Sequence, residues 1–335
     1  MTLEELTAFF STLSLPSFRA RQVWQWLQQK GVSSFADMTN LSKALRDRLA
    51  ETCCIYDCRI EKKSVSALDP TVKYLFRLHD GEFIESVLMK YKYGYSLCVS
   101  TQVGCRMNCA FCATGKSGFV RDLSAGEILG QIHAAQRDES IRVSHLVLMG
   151  MGEPFDNYDN VLRFLRLVND ENGLNIGMRN ISLSTCGVVP GIEKLEKENL
   201  QLTLSVSLHA PNNAMRSSLM PINRKYPLEE LMRACRHYAD ATSRRISYEY
   251  TMLGGVNDSD ECARELAELL KGTLSHINLI PANDVTESGL KSSSPQRIRA
   301  FAGILENEGR TVTVRRSLGG DIDASCGQLR SKHIR

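Results

Sequence analysis

Residues 96–115 read SLCVSTQVGCRMNCAFCATG: a short apolar run, then a loop in which Cys105, Cys109 and Cys112 stand within eight residues between Gly104 and Gly115. The run predicts a strand, and the glycines let the backbone wrap closely behind it. The same beat recurs downstream. HLVLMGM (145–151), ISLST (181–185), LTLSVSL (202–208), ISYEY (246–250), HINLIP (276–281) and VTVR (312–315) are further strand candidates, with amphipathic stretches between most of them. Ser124 with Glu127 three residues on forms a capping box for the first of those helices, and Leu228, Leu231, Cys235 and Tyr238 share one face of another. Repeated strand-helix units require parallel pairing, in a barrel or an open doubly wound sheet. Seven strands with no GxGxxG after the first favour an incomplete TIM-like βα barrel over a dinucleotide-binding sheet. The fold class expected is α/β, with this barrel over residues 96–335.

Outward from the barrel, residues 1–55 form a predicted helical module, in which Leu3, Leu6, Phe10 and Leu13 recur at helical spacing and Val23, Trp26 and Leu27 repeat the pattern before Gly31. Its basic residues, among them Arg19, Arg21 and Arg46, are nearly balanced by acidic ones, so charge alone does not mark an RNA-docking face. Residues 56–95 read as a β-hairpin connector, with VKYLFRL and EFIESVLM flanking Asp80-Gly81.

The chain has 335 residues, 43% of them hydrophobic, and Lys+Arg 41 against Asp+Glu 38. That excludes a disordered or collagen-like chain, and a net charge of +3 is too small to declare nucleic-acid binding from the total. No segment reaches the roughly 18 consecutive apolar residues of a membrane helix, and the start MTLEELTAFF lacks signal-peptide character. A cytoplasmic protein with no membrane partner is expected. Eleven cysteines, an odd count in a large chain, do not make a disulfide framework. Cys53, Cys54, Cys58, Cys186, Cys235 and Cys262 read as inert buried thiols, and only Cys105, Cys109 and Cys112 are spaced as ligands.

In such folds function collects at the carboxyl ends of the strands. The unusual residues fall there: GCRMNCAFCATG after the first strand, GMGEP after the second, STCG after the third, SLHAPN after the fourth, IPAN after the sixth and RRSLGGDIDASCGQL after the seventh. Thiolates select zinc or iron-sulfur. The nearest histidine, His133, lies well beyond the loop, so spacing favours a four-iron cluster with one iron left open, with zinc as the alternative.

The CX3CX2C loop with Phe111 before its last cysteine resembles the signature of radical SAM enzymes, in which S-adenosylmethionine (SAM) binds the open iron. GMGEP, STCGVVPGI, SLHAPN, LMPIN, NLIPAN and GGDIDASCGQL narrow the resemblance to the RlmN/Cfr family of RNA adenine methyltransferases, RlmN branch. Similarity runs from the N-terminal helices to near residue 330. Ser325 stands where family members commonly have alanine, and Asp284 where they have proline.

The resemblance implies a radical SAM barrel with an N-terminal helical domain, and as cofactors a [4Fe-4S] cluster on Cys105, Cys109 and Cys112 together with SAM. It implies methylation of adenine carbon 2, an electron-poor position that a polar methyl transfer cannot reach. One SAM methylates a cysteine, a second is cleaved to a radical that takes hydrogen from that methyl, and the sulfur-bound methylene radical adds to the ring. A second cysteine removes the ring proton and a disulfide releases the base. Cys326 matches the methyl carrier and Cys98 the proton-abstracting partner, and Asp321 and Asp323 are expected to orient the final loop. Glu85 aligns with a carboxylate assigned to proton transfer. For SAM, Gly152, Glu153, Ser184, Ser207, Leu208, His209 and Asn283 match contact positions.

The implied substrates are 23S rRNA and tRNA, with flavodoxin as electron donor and a monomeric enzyme. RNA-directed charge is offered by Arg310, Arg315, Arg316, Arg330, Lys332 and Arg335, and KYKYGY (90–95) interleaves Lys90 and Lys92 with Tyr91, Tyr93 and Tyr95, a pattern suited to phosphate contact and base stacking. The alternatives are a Cfr-type carbon-8 methyltransferase, or a non-catalytic iron-sulfur protein that binds RNA.

Overall fold

The computed structural model describes residues 1–283 and 289–329. Three helices open the chain, α1 (Leu3–Thr12), α2 (Ser17–Gln28) and α3 (Lys43–Thr52), the first held by a reciprocal cap between Thr2 and Glu5. An antiparallel run follows: β1 (Arg59–Val65), β2 (Thr71–Arg77) and β3 (Phe83–Tyr91), which pairs in turn with β4 (Gly94–Cys98). Strands β2 and β3 meet in the Asp80-Gly81 turn, where Gly81 takes φ 89. Residues 56–95 thus do more than connect, since their strands are hydrogen-bonded into the main sheet.

From β4 the pairing becomes parallel. A small hairpin, β5 (Gln102–Gly104) and β6 (Phe119–Asp122), brackets the cysteine loop and the short helix α4 (Ala113–Lys116). Then strand and helix alternate through α5 (Ala125–Glu139), β7 (Val143–Leu148), α6 (Tyr158–Asn169), β8 (Ile181–Thr185), α7 (Val189–Lys197) and β9 (Thr203–Ser207). They continue through α8 (Asn213–Leu219), α9 (Leu228–Thr242), β10 (Ile246–Met252), α10 (Asp260–Leu269), β11 (Ser275–Pro281), α11 (Pro295–Asn307) and β12 (Val312–Val314). Among the described residues the main sheet has ten strands in the order β1-β2-β3-β4-β7-β8-β9-β10-β11-β12. β4 and the six strands from β7 to β12 are mutually parallel, as the seven apolar runs predict. β1 and β12 end the order unpaired with each other, so the barrel is partial.

The parallel strands are apolar because both faces are covered. Leu146, Leu148, Leu183, Leu204, Val206, Tyr248 and Leu279 are almost fully buried, and helix pairs α5–α6, α7–α9 and α10–α11 pack against one another around the sheet. The Ser124–Glu127 capping box starts α5, and Leu228, Leu231, Cys235 and Tyr238 form the buried face of α9. No helix among the described residues is long and apolar enough to cross a membrane.

Residues 1–55 lean on α5. Arg137 donates to the Gly31 carbonyl and to Asp57, and Gly31 at φ 58 lies so near the His133 ring that any side chain there would collide. Replacing Arg137 with Met removes both links. An exposed pair of this kind is worth about 1 kcal/mol, so opening of the helical module should become about fivefold easier. Limited proteolysis should then cut within residues 19–48 faster while the unfolding midpoint of the barrel stays put.

Candidate active site

At the carboxyl ends of the parallel strands lies a cavity of about 160 Å³ lined by Cys105, Cys109 and Cys112, by Gly152 and Glu153, by Ser184, Ser207, His209 and Asn283, and by Cys326. Loops distant in sequence therefore meet on one rim. Cys105 directly follows β5, its amide donating to the Gly118 carbonyl at 2.8 Å. Gly104 turns at φ 75, where a Cβ would meet that same carbonyl at 1.9 Å, so only glycine lets the loop close. Burial pushes the Cys105 thiol up to about 12 and the Cys109 thiol also well above its ordinary range.

Glu153 follows a constrained backbone: Gly152 takes φ 109 with Gln102 and Thr101 packed where a Cβ would stand. Its carboxylate accepts from the Cys186 amide at 2.7 Å and the Phe155 amide at 3.0 Å, and burial raises its pKa against those bonds. His209, at φ 56, accepts on Nδ1 from the Thr251 amide at 2.9 Å, which puts the ring proton on Nε2. Burial lowers its pKa to about 3, so the ring is a neutral donor. Leu208 is different: its side chain is in the core, fully buried, and only its carbonyl serves the site by accepting from Arg216.

The Cys326 loop is the last wall. Asn283 donates to the Cys326 carbonyl at 3.1 Å, and the Ala113 amide, one residue past Cys112, donates to the Gly327 carbonyl at 2.8 Å. Asp321 accepts from the Ser66 hydroxyl at 2.7 Å and the Ala67 amide at 2.8 Å, and Lys73 donates to the Asp323 carbonyl at 3.1 Å. Ser325, the residue in place of alanine, donates to the Leu318 carbonyl at 2.9 Å and so adds a tie within the loop.

Beyond this wall is a second chamber of about 40 Å³ lined by Val87, Met89, Tyr91, Cys98 and the loop itself. Cys326, Arg315, Asn283 and Met149 border both spaces. Burial pushes the Cys98 thiol up to about 12, with Arg315 pulling it back. Glu85 lines neither cavity: it is buried and paired with Lys73 at 3.2 Å, beneath the loop.

The basic tail divides. Arg315 does not face solvent for RNA; it turns into the site, where Cys326, and then Glu249, Tyr91 and Cys98, hold it charged above the usual arginine range despite burial. Arg310 donates to the Leu270 carbonyl at the end of α10, Arg316 is exposed, and Arg330, Lys332, Arg335 and Asp284 lie outside the described residues.

Three contributors were not legible from motifs. Arg216, fully buried, donates to the carbonyls of Cys186, Ser207 and Leu208 and to Asn223, stapling two rim loops together. Glu249 lines the cavity, its oxygens taken by Ser247 and Asn278. Cys186, read as inert, also lines the cavity. An arginine inside the otherwise small and apolar NAMRSSLM was the available signal for the first.

The residues fit an iron-sulfur centre. Three soft sulfurs line one cavity, and burial that holds the Cys105 and Cys109 thiols protonated is offset when a cationic iron centre sits beside them. Among the described residues no three His, Cys, Asp or Glu groups converge on a single-ion site.

Residues 99–270 match the radical SAM superfamily, and residues 1–55 match the ribosomal RNA large subunit methyltransferase N-terminal domain. A Thermoanaerobacter protein described as a probable dual-specificity RNA methyltransferase RlmN is 51% identical over 335 residues, 100% of this chain and 98% of that one. A Desulforamulus reducens protein of the same description is 53% identical over 329 residues, 98% and 94% of the two chains. The crystal structure of a radical SAM methyltransferase from Sphaerobacter thermophilus superposes with a TM-score of 0.95 at 45% identity, covering 98% of each chain. With the thiol loop, the rim cavity and relatives over the whole length in agreement, the chain belongs to the RlmN family of radical SAM RNA methyltransferases, whose cofactors are a [4Fe-4S] cluster and S-adenosylmethionine.

Proposed function

We propose that this enzyme methylates carbon 2 of an adenosine in 23S rRNA and of the adenosine next to a tRNA anticodon, with Cys326 as methyl carrier and Cys98 as the group that removes the ring proton. The observation that carries the reading is the position of Cys326 in a wall common to two chambers, one lined by the three-cysteine loop, the other by Cys98. On this reading Cys105, Cys109 and Cys112 hold the cluster. Glu153 takes the SAM amino group, while Ser184, Ser207, His209 and Asn283 position the rest of the ligand. When bound, the cluster and SAM supply a methyl group and, by reductive cleavage, a radical that abstracts hydrogen.

The chain's own residues then divide the work. Cys326 accepts a methyl group at Sγ from the first chamber and presents it to the base in the second. Cys98 takes the proton from carbon 2 and the adduct gives up its unpaired electron to the redox centre. Cys98 Sγ then bonds to Cys326 Sγ as the bond from Cys326 Sγ to the methylene breaks, and the methylene takes up a proton, freeing the methylated base. Glu85, tied to Lys73 under the loop, acts by holding Asp323 and its neighbours in place. The helices of residues 1–55 dock the RNA, and a flavodoxin-type donor supplies the electron to a monomeric enzyme.

The deciding test is nucleoside mass spectrometry on unmodified 23S rRNA fragments and tRNA after anaerobic incubation with reconstituted protein, SAM and a reductant. The expected product is 2-methyladenosine; 8-methyladenosine would overturn the carbon-2 assignment in favour of carbon 8. Cys326→Ala should lose all RNA methylation while keeping its visible cluster absorption, and unchanged methylation would sink the carrier role. Cys98→Ala should retain Cys326 methylation but leave RNA joined to the protein, read as a slow band on a denaturing gel. Because Cys98 ionises only far above neutrality, its thiolate fraction grows about tenfold per pH unit below about 12. Product release in single turnover should therefore climb from about pH 6 to about pH 9. His209, neutral throughout that range, adds no opposing step.

A further inference from the structure

Strand β3 ends in Tyr91, and the turn into β4 carries Lys92 and Tyr93. The rings of Tyr91 and Tyr93 stack at 5.0 Å with 7° between their planes, and His145 from β7 meets Tyr93 edge-on at 4.7 Å. Two features fix this arrangement. His145 Nδ1 lies 2.9 Å from the Ser144 hydroxyl, and Gly94, at φ 129, turns where a Cβ would meet that hydroxyl at 2.4 Å. Tyr91 lines the chamber of Cys98 and Cys326, whereas Tyr93 is 62% exposed. The stack thus runs from the chamber wall to solvent.

An aromatic pair built only for packing would be covered. Here a stacked ring is left open, its neighbour in the turn, Lys92, is exposed, and exposed Arg316 borders the chamber that Tyr91 lines. Cations that reach phosphates beside an open aromatic face form the usual surface for unpaired nucleotides. An enzyme acting on a base ring must draw that base from its stack, which leaves the neighbouring base without a partner.

We propose that Tyr93, backed by Tyr91, is the stacking platform for the RNA base that flanks the target adenosine, with Lys92 and Arg316 on the adjoining phosphates. The inference rests on the RNA methyltransferase reading above and adds a specific contact to it. The strand recognised is single-stranded RNA at the chamber mouth, and the contact is indifferent to base identity because every base offers a π face.

The test uses the reconstituted full-length holoenzyme with Tyr93→Ala, Tyr93→Trp and Tyr93→Leu. Tyr93→Ala should raise KM for the RNA by about 5- to 150-fold, the factor for one lost base–aromatic stack, with kcat nearly unchanged. Tyr93→Trp should restore KM and Tyr93→Leu should not. An RNA with 2-aminopurine next to the target should be quenched by the parent enzyme and by the Trp variant, and remain bright with Ala. Methyl transfer to Cys326 without RNA, followed by intact mass, should persist in all three. An unchanged KM and quench in Tyr93→Ala, full rescue by Leu, or loss of Cys326 methylation in Tyr93→Ala would each overturn the platform. If the parent enzyme itself methylates no RNA, the functional reading fails first, which separates the two failures.

Discussion

One hydrogen bond, from the Ala113 amide to the Gly327 carbonyl at 2.8 Å, joins the loop of Cys105, Cys109 and Cys112 to the loop of Cys326. These loops follow the first and last parallel strands, and the sheet between them does not close. The residue order around the bond leaves little freedom. Gly327 turns at φ 82 with the Phe111 carbonyl 3.1 Å from where a Cβ would stand, and Thr114 donates to the Leu329 carbonyl at 2.6 Å two residues on. The final loop therefore plugs the gap between β12 and the antiparallel strands. Asp69, Ser66 and Lys73 on the β1–β2 arm hold its other side. This is why β1 to β3 belong to the catalytic body: they form the bank against which the Cys326 loop is moored.

Charge inside this body is arranged in a low-dielectric setting where every group needs a partner. Arg216 meets three backbone carbonyls and an amide side chain with no carboxylate among them, so its net positive charge persists beneath the cysteine loop. Arg315 stands between Glu249 and the two thiols Cys98 and Cys326. Two buried carboxylates, Glu153 and Glu249, are kept in the cavity by amide and hydroxyl donors. Arg315, Glu153 and Glu249 thus bring groups of both signs to one cavity.

Much of the architecture was legible in the chain. The seven apolar runs became the seven parallel strands, the Ser124–Glu127 pair capped α5, and the polar residues of six loops met at one rim. Leu208 and Arg315 resisted such a reading for related reasons. Ser207 ends β9 facing the cavity and the left-handed turn at His209 brings its ring there too, while the Leu208 side chain between them packs in the core, a difference that a motif does not show. Arg315 lies in a basic run that looks solvated, yet it follows directly on β12, where its amide donates to the Leu279 carbonyl and its side chain is carried inward.

The sequence by itself determined the alternation of strands and helices and the loop of three thiols, because periodicity, glycine spacing and thiol spacing are local properties. Tertiary structure alone decided that Cys98 and Cys326 border one chamber, that Glu85 pairs with Lys73, and that Arg216 staples the rim. Those relations join residues far apart in the chain, and their geometry is fixed only when sheet curvature and the docking of the final loop set which side chains face inward.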